Sequence, residues 1–186
     1  MLDHFGILAP FYDRLIGPSD PSQLRDLLRL PTAGRLLDAG GGTGRVSSPL
    51  RSLVGELVIS DLSSKMLRQS RGKGDLRPVL GHAERLPFPD ESFDRVLVVD
   101  ALHHFCNQRD AVGDLLRVLK PGGRLVIEEP DFNRFAVKIV ALVEKLALMR
   151  SHFYSPQAIR EMVAAHGLAA HIETDSSSAA WVVVDK

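Results

Sequence analysis

A glycine-rich segment and an acidic residue have the spacing that nucleoside ligands require. The segment Asp38–Gly44 reads Asp-Ala-Gly-Gly-Gly-Thr-Gly and follows a short apolar run. Glycines permit positive φ angles and let a ligand approach the bare backbone, and the N–H groups that open a following helix can bind an anion. Asp61 stands 21 residues after Gly40, where a carboxylate can accept both hydroxyls of a ribose. The loop alone is also compatible with a tight strand–helix connection, but the added acid favours a nucleoside site.

The spacing of the glycines distinguishes two kinds of nucleoside cofactor. The dinucleotide fingerprint reads Gly-x-Gly-x-x-Gly, and its third glycine would fall on Arg45 or Ser47, depending on the starting glycine. The chain instead has Asp-x-Gly-x-Gly-x-Gly. This pattern argues against a nicotinamide-dependent oxidoreductase, which stays open as an alternative at this point.

The elements that must position these residues alternate between short apolar strands and amphipathic helices. Strands are predicted at 35–39, 56–60, 77–80, 96–99, 125–127, 168–173 and 181–184, and helices at 45–54, 63–71, 107–119 and 156–166. Ser63 is the predicted N-cap of the second helix, and Pro121-Gly122-Gly123 is expected to turn the chain into the next strand. Pro49 should disturb the first helix, which could instead start later or kink. The alternation predicts an α/β fold with a doubly wound, mostly parallel sheet. The last two strands should pair as a hairpin and add an antiparallel strand at one edge.

Length and composition fit a single soluble domain without a strong charge bias. The 186 residues are 45% hydrophobic and 25% charged, and 23 lysines and arginines balance 23 acidic residues. This balance does not favour nucleic acid as a partner. A single cysteine, Cys106, excludes an intrachain disulfide, and no metal site is predicted. No apolar run approaches the roughly 20 residues of a membrane span, and the first residues do not resemble a signal peptide, so a cytoplasmic location is expected.

Four segments in chain order resemble signatures of the class I S-adenosylmethionine-dependent methyltransferase superfamily. They are Leu36–Gly44, Asp61–Leu67, Leu86–Asp94 running into Val96–Asp100, and Arg117–Gly123. The flanking residues 9–13 and 154–156 look like the ubiquinone/menaquinone biosynthesis C-methyltransferase-like (methyltransferase type 11) branch. The resemblance implies a single-domain, seven-stranded, Rossmann-like methyltransferase fold with S-adenosylmethionine as cofactor. It also implies an N-terminal lid at 1–33 and a cofactor-binding core at 34–186.

The resemblance assigns cofactor-binding roles position by position. The residues concerned are Asp38, Gly40, Gly41, Gly42, Asp61, Leu62, Met66, His82, Ala83 and Asp100. The glycine backbone would approach the methionine carboxylate, Asp61 would hold the ribose diol, and Leu62 and Met66 would lie beside the adenine. The pair His82-Ala83 would lie at the adenine edge, and the carbonyls near Asp100 close to the methionine amino group. Core packing is the alternative for Leu62 and Met66.

His82 departs from the pattern of the family. The family commonly has aspartate at this position, which accepts a hydrogen bond from the adenine amino group. A neutral histidine can accept through one ring nitrogen, whereas a protonated histidine cannot. The sequence therefore predicts weaker cofactor binding that depends on pH.

Methyl transfer from a sulfonium is a direct displacement, so the protein mainly aligns donor and acceptor and excludes water. A general base is needed only when the acceptor must lose a proton early. The candidates are His103 and His104, just after the fourth predicted strand, and Tyr12 in the N-terminal segment. Capping or packing is the alternative for each histidine. A metal site on the histidine pair is disfavoured because no cysteine or carboxylate constellation accompanies it.

Residues 134–150 form a predicted helix whose apolar surface is wider than a one-sided surface helix needs. This helix could line an apolar substrate cleft, form a homodimer interface, rest on a membrane surface or lie buried under the N-terminal segment. It is too short for stable membrane insertion. No insertion provides a separate module for nucleic acid or protein, so the predicted acceptor is a small molecule, apolar or quinone-like. A non-catalytic, methyltransferase-like binding subunit stays the alternative from another functional class.

Overall fold

A computed structural model describes residues 21–130, 152–174 and 179–186. The elements in chain order are α1 (Ser22–Leu27), β1 (Thr32–Ala39), β2 (Val54–Asp61), α2 (Ser64–Ser70), β3 (Arg77–Leu80), β4 (Phe93–Val99), α3 (Gln108–Val118), β5 (Leu119–Pro130), α4 (Pro156–Ala164), β6 (Ala170–Thr174) and β7 (Ala179–Asp185). Two short 3₁₀ helices, Ser48–Leu53 and Leu102–His104, follow β1 and β4.

The described strands form one sheet in the order β3-β2-β1-β4-β5-β7-β6. All pairs from β3 to β5 are parallel, whereas β7 runs antiparallel to both β5 and β6. The prediction of a seven-stranded, mostly parallel sheet with an antiparallel strand at one edge is confirmed. In detail, the antiparallel strand β7 lies second from that edge, and its hairpin partner β6 forms the edge itself. The strand order reverses direction between β1 and β4, and ligands bind outside the carboxyl ends of the strands at such a point.

Both faces of the sheet are covered, as a doubly wound fold requires. Successive residues of a strand point to opposite faces. In β1, Leu37 belongs to the apolar layer formed with α3 and α4. Its neighbour Leu36 belongs to the opposite layer, formed with α1 and α2. The central strands are therefore apolar on both faces, which explains their uninterrupted hydrophobic sequence.

The helix predicted at 45–54 begins later and is shorter than expected. After the glycine loop the chain turns, and only Ser48–Leu53 forms a helix, of the tighter 3₁₀ type. Pro49 occupies its first turn, the one place where the missing N–H of proline is tolerated. Gly44, at φ +71°, cannot be part of a right-handed helix. The fully buried Leu50 holds the short helix against the core.

The predicted turn at Pro121-Gly122-Gly123 is wrong. Helix α3 ends at Val118, and β5 begins at the next residue and continues through the three residues. The pairing of β4 with β5 shifts register between Phe93, opposite Leu119, and Arg95, opposite Arg124, which accommodates the extra residues as a bulge. Gly122 adopts φ +74° and donates its N–H to the carbonyl of Lys186 at 2.7 Å. Hydrogen bonds with Lys186 therefore hold these residues within the strand, while Gly122 itself adopts a left-handed conformation.

The remaining predicted elements are present, with ends displaced by a few residues. Ser63 caps α2 as predicted, because its hydroxyl accepts the N–H of Met66 at 3.4 Å. Tyr12 and the predicted helix at 134–150 lie outside the described residues. The division of the chain at residue 33 stays a prediction. No helix among the described residues is long and apolar enough to cross a membrane.

Phe93 at the start of β4 should be a main contributor to stability. Its side chain is fully buried, the ring of Phe88 lies edge-on at 4.9 Å, and the guanidinium of Arg35 lies 4.6 Å from its ring centroid. We expect Phe93→Ala to lower the free energy of unfolding by about 3–5 kcal/mol because it leaves a cavity. Leu80→Ala, at a side chain that is 59% exposed, should change it by less than about 0.5 kcal/mol. Urea unfolding measures both, and similar losses in the two variants would contradict the packing described.

Candidate functional site

Asp61 ties the glycine loop to the start of α2. One carboxylate oxygen, Oδ2, accepts the N–H of Gly42 at 2.9 Å, and the other, Oδ1, accepts the N–H of Ser63 at 2.7 Å. A carboxylate offers about four acceptor positions, so further hydrogen bonds from ligand hydroxyls are compatible with these two. Among the described residues, a Cβ atom added to Gly42 would have no neighbour closer than this carboxylate, at 3.9 Å. The described part of the chain therefore leaves space for a ligand beside Gly42 and Asp61.

Two other glycines of the loop, Gly40 and Gly41, are required by close packing within the protein. Gly40 has φ +74°, donates its N–H to the carbonyl of Ser60 at 2.7 Å, and would place a Cβ atom 2.6 Å from that of Ala101. A Cβ on Gly41 would lie 2.4 Å from Oδ2 of Asp38. The loop therefore packs tightly against Ala101 at Gly40 and against Asp38 at Gly41, whereas it is less crowded at Gly42.

Asp38 is a buried acid against this loop. It is 2% exposed, and burial raises the pKa of its carboxyl to about 6. Among the described residues, its Oδ2 atom finds no hydrogen-bond partner. The closeness of Asp38 Oδ2 to Gly41 places this carboxyl against the backbone of the glycine loop. This is the backbone predicted to approach the cofactor.

Leu62, which precedes α2, and Met66, which lies in α2, differ in exposure. Both are predicted to lie beside the adenine. The side chain of Leu62 is 57% exposed, whereas Met66 is 4% exposed. An exposed leucine directly after Asp61 offers apolar surface to a ligand base. Met66 is packed inside the protein, in agreement with the alternative that it is a core residue.

His82 and Ala83 follow the carboxyl end of β3 and lie near Asp61. The link is the hydrogen bond from the N–H of Gly81 to the carbonyl of Asp61, at 3.1 Å. Ala83 is buried, while the side chain of His82 is 62% exposed and its Nδ1 lies 3.9 Å from a carboxylate oxygen of Glu84. The imidazole is therefore accessible to a ligand and to protons from solvent.

Asp100, directly after β4, adopts a strained backbone conformation. Its φ is +49°, a region that non-glycine residues rarely enter, and its N–H donates to the carbonyl of Glu128 at 3.0 Å. Strained residues held by surrounding structure concentrate at functional sites. The described structure brings Asp100 to the same edge of the sheet as Asp61 and the glycine loop.

The sequence analysis missed Glu128 near the end of β5. Burial raises the pKa of its carboxyl from the usual 4.5 to about 7; a hydrogen bond from the indole N–H of Trp181 at 2.9 Å opposes this rise, and the charges of Asp100 and Glu129 add to it. The available signal was Ile127-Glu128-Glu129, two acids at the carboxyl end of an apolar strand. The same rule that selected Asp61 would have selected them.

His103 forms a buried pair with Glu129, a second residue that the sequence analysis missed. Nδ1 of His103 lies 2.5 Å from Oε2 of Glu129, and the two side chains are 4% and 5% exposed. The ring of Phe153 stacks on that of His103, with centroids 4.3 Å apart and planes at 16°. The carboxyl ends of β4 and β5 bring the histidine and the acid together.

His104 lies in surroundings that disfavour its protonated form. Burial, followed by the electrostatic effect of the neighbouring His103, lowers the pKa of His104 to about 3. The two rings lie 4.0 Å apart, centroid to centroid. At neutral pH His104 is therefore uncharged and a weak base.

The arrangement fits a positively charged nucleoside better than a metal. Carboxylates of Asp61, Asp100 and Glu128 stand at one edge, which suits the sulfonium and ammonium groups of S-adenosylmethionine. The open space beside Gly42, the acceptor Asp61 and the exposed Leu62 suit its ribose and adenine. Within the described ranges, no three histidine, cysteine or acidic residues are placed to share a metal ion.

Comparison with known proteins finds similarity to methyltransferases. Residues 37–127 match the family model of a methyltransferase domain. The ubiquinone/menaquinone biosynthesis C-methyltransferase UbiE of Stutzerimonas stutzeri is 41% identical over 105 residues, which cover 51% of this chain and 41% of the relative. The solved YcgJ protein of Bacillus subtilis is 27% identical with a TM-score of 0.73, over 82% of this chain and 69% of that chain.

A third likeness covers almost the whole of both chains. A chain from the complex of Haloferax volcanii Trm112, a methyltransferase activator, with its partner has a TM-score of 0.81, over 100% of this chain and 98% of that chain. Its identity of 19% means that this likeness shows the fold alone.

These matches bear out the predicted resemblance to the methyltransferase superfamily, the predicted fold and S-adenosylmethionine as the cofactor of such domains. The nicotinamide alternative, already disfavoured by Arg45 and Ser47, receives no support from them. The chain spans 41% to 61% of the length of the curated relatives it matches. The activity and substrate of the whole protein are therefore inferred from the site.

The raised pKa of Glu128 predicts a stability difference that depends on pH. Since this carboxyl binds its proton more tightly in the folded protein, its contribution to stability is lost as pH rises through about 7. Glu128→Gln keeps an acceptor for the Trp181 N–H and removes the buried charge. We expect the variant to exceed the wild type in free energy of unfolding by about 1–2 kcal/mol at pH 8, and by less at pH 5.5. Urea unfolding at both pH values tests this; a difference that does not change with pH would contradict the assignment.

Proposed function

We propose that this chain, whose residues 37–127 form a methyltransferase domain, transfers a methyl group from S-adenosylmethionine to a small acceptor. The observation that carries the proposal is the open space bounded by Gly42 and the doubly hydrogen-bonded carboxylate of Asp61. When bound, the cofactor supplies a methyl group activated by a sulfonium.

The residues of the chain bind and orient the cofactor. Asp61 accepts the ribose hydroxyls, and its bonds to the backbone of Gly42 and Ser63 fix the direction of its oxygens. Leu62 packs on the adenine, and His82 reaches the adenine edge. Asp100 and Glu128 provide negative charge for the cationic methionine portion. Alignment of donor and acceptor supplies much of the rate enhancement in such a displacement.

An apolar or quinone-like ring is the proposed acceptor. It is supported by the printed activity of the UbiE relatives, by the apolar sequence of residues 134–150 and by the aromatic ring of Phe153 stacked on His103. The cytoplasmic location, the homodimer through 134–150 and the absence of nucleic acid as a partner stay predictions.

His103 is the proposed general base for an acceptor that must lose a proton. Its pairing with Glu129 favours a basic imidazole, whereas the lowered pKa of His104 does not. Tyr12 stays a prediction because it lies outside the described residues. The alternative of a non-catalytic binding subunit predicts cofactor binding without product, which incubation with phenolic and quinol acceptors would reveal.

Asp61→Asn should weaken cofactor binding. The variant loses the negative charge and one acceptor oxygen, and a hydrogen bond to a charged group contributes about 1.5–3 kcal/mol, so we expect a loss of about 10- to 100-fold. Calorimetric titration with S-adenosylhomocysteine measures it, with NADH as the control ligand. Asp26→Asn is the matched control, because Asp26 is 70% exposed on α1 and forms an ion pair with its neighbour Arg25. Equal affinities of the two variants, or binding of NADH, would overturn the cofactor site.

Substitution of the two histidines should separate their roles. We expect His103→Gln to lower kcat about 10²- to 10⁴-fold, the usual contribution of a general base, without loss of S-adenosylhomocysteine affinity. His104→Gln should lower kcat less than about tenfold, because a histidine that stays neutral transfers no proton. Steady-state rates with a quinol acceptor measure both, and full turnover by His103→Gln would remove it as the base.

A further inference from the structure

We infer that Glu129 is a positioning residue, which holds His103 in the tautomer whose lone pair is at Nε2. The inference rests on the proposed function in one respect: the tautomer matters for catalysis because a general base must present its lone pair to the acceptor. The position of the proton on the imidazole can nevertheless be measured without turnover.

Both oxygens of Glu129 are engaged by the segment that carries His103. Oε2 lies 2.5 Å from Nδ1 of His103, and Oε1 accepts the backbone N–H of Leu102 at 2.8 Å. Rotation of the carboxylate would break both bonds at once. Because Glu129 lies in β5, the sheet itself fixes where the imidazole is held.

The imidazole is also fixed from other directions. Phe153 stacks on it at 4.3 Å, and the N–H of His152 donates to the carbonyl of His103 at 2.8 Å. His104 lies against it at 4.0 Å, with the planes at 52°. The ring therefore has one plane and one direction, as a base must have to receive a proton from a bound acceptor.

The chemistry of a carboxylate decides the tautomer. An ionised carboxylate only accepts hydrogen bonds, so Nδ1 carries the hydrogen and the lone pair of the neutral ring is at Nε2. When the acceptor loses its proton, the proton bonds to Nε2 of His103. The electron pair of the broken acceptor–hydrogen bond stays on the acceptor, which becomes the nucleophile. The imidazolium that results is stabilised by the negative charge of Glu129.

A purely structural role would not need this pair. A glutamine at 129 would satisfy the Leu102 N–H equally well, and an apolar pair of similar volume is often as stable as a buried ion pair. The chain also contains an exposed pair of the same residue types, His171 and Glu173 on β6, with 3.2 Å between Nε2 and Oε1 and about half of each side chain exposed. That pair provides a matched control.

Glu129→Gln is the deciding variant. Its amide oxygen must face the Leu102 N–H, because the amide NH₂ would oppose another donor there. The NH₂ then points at Nδ1 of His103, which must become the acceptor, so the hydrogen moves to Nε2. Nitrogen-15 NMR of labelled histidines should show Nδ1–H for His103 in the wild type and Nε2–H in the variant. Glu173→Gln should leave the His103 spectrum unchanged.

The kinetic expectation follows from the reversed tautomer. We expect kcat of Glu129→Gln to fall about 10²- to 10⁴-fold, with S-adenosylhomocysteine affinity within about threefold of wild type. Glu173→Gln should retain wild-type kcat. The double variant with His103→Gln should be no slower than His103→Gln alone, because a positioning residue acts through the residue it holds.

Several outcomes would overturn the inference. An Nε2–H tautomer in the wild type would do so whether or not the protein transfers methyl groups, and so would additive losses in the double variant. If Glu129→Gln does not fold, the wild-type spectrum decides alone. A wild type that binds S-adenosylhomocysteine, shows Nδ1–H at His103 and yields no methylated product would contradict the proposed function while supporting the role of Glu129 in orienting the ring.

Discussion

Parallel pairing of β1 with both β2 and β4 is the constraint on which the site depends. Parallel strands end at the same edge of a sheet, and their connections begin there. The glycine loop after β1, Asp61 at the end of β2, Asp100 after β4 and the acids near the end of β5 consequently meet, although they are far apart in the chain. The buried apolar layers on both faces fix the register that keeps these ends aligned.

The same edge concentrates acidic groups in places where water is largely excluded. Burial raises the pKa of Asp38 and of Glu128, so their ionisation costs stability in the absence of a cation. A positively charged ligand lowers that cost by its own charge. Acids that are unfavourable for the fold are therefore favourable for a cationic cofactor, in keeping with the general tendency of perturbed groups to lie at functional sites.

The fold and the chemistry rest on different observations. Chains with little sequence identity can share one arrangement of strands, and shared folds host many reactions. What this chain can do is decided by a few side chains at the edge of its sheet. The two neighbouring histidines illustrate the point: one is paired with a buried acid, and the other is left in surroundings that disfavour its charged form.

The sequence by itself determined the fold class, the glycine loop and the acid at Asp61, because periodicity and spacing along the chain encode strands, turns and strand ends. The predicted turn at Pro121–Gly123 is absent because backbone hydrogen bonds pair this segment with a part of the chain that is distant in sequence. The helix predicted at 45–54 is reduced to a short 3₁₀ helix because of Pro49 and Gly44. The sequence ranked His103 and His104 equally, since adjacent residues of one type look alike in sequence. Only the tertiary structure distinguished them, because the partner of His103 is 26 residues away, on a neighbouring strand. Contacts between strands depend on register and facing, which no local pattern specifies.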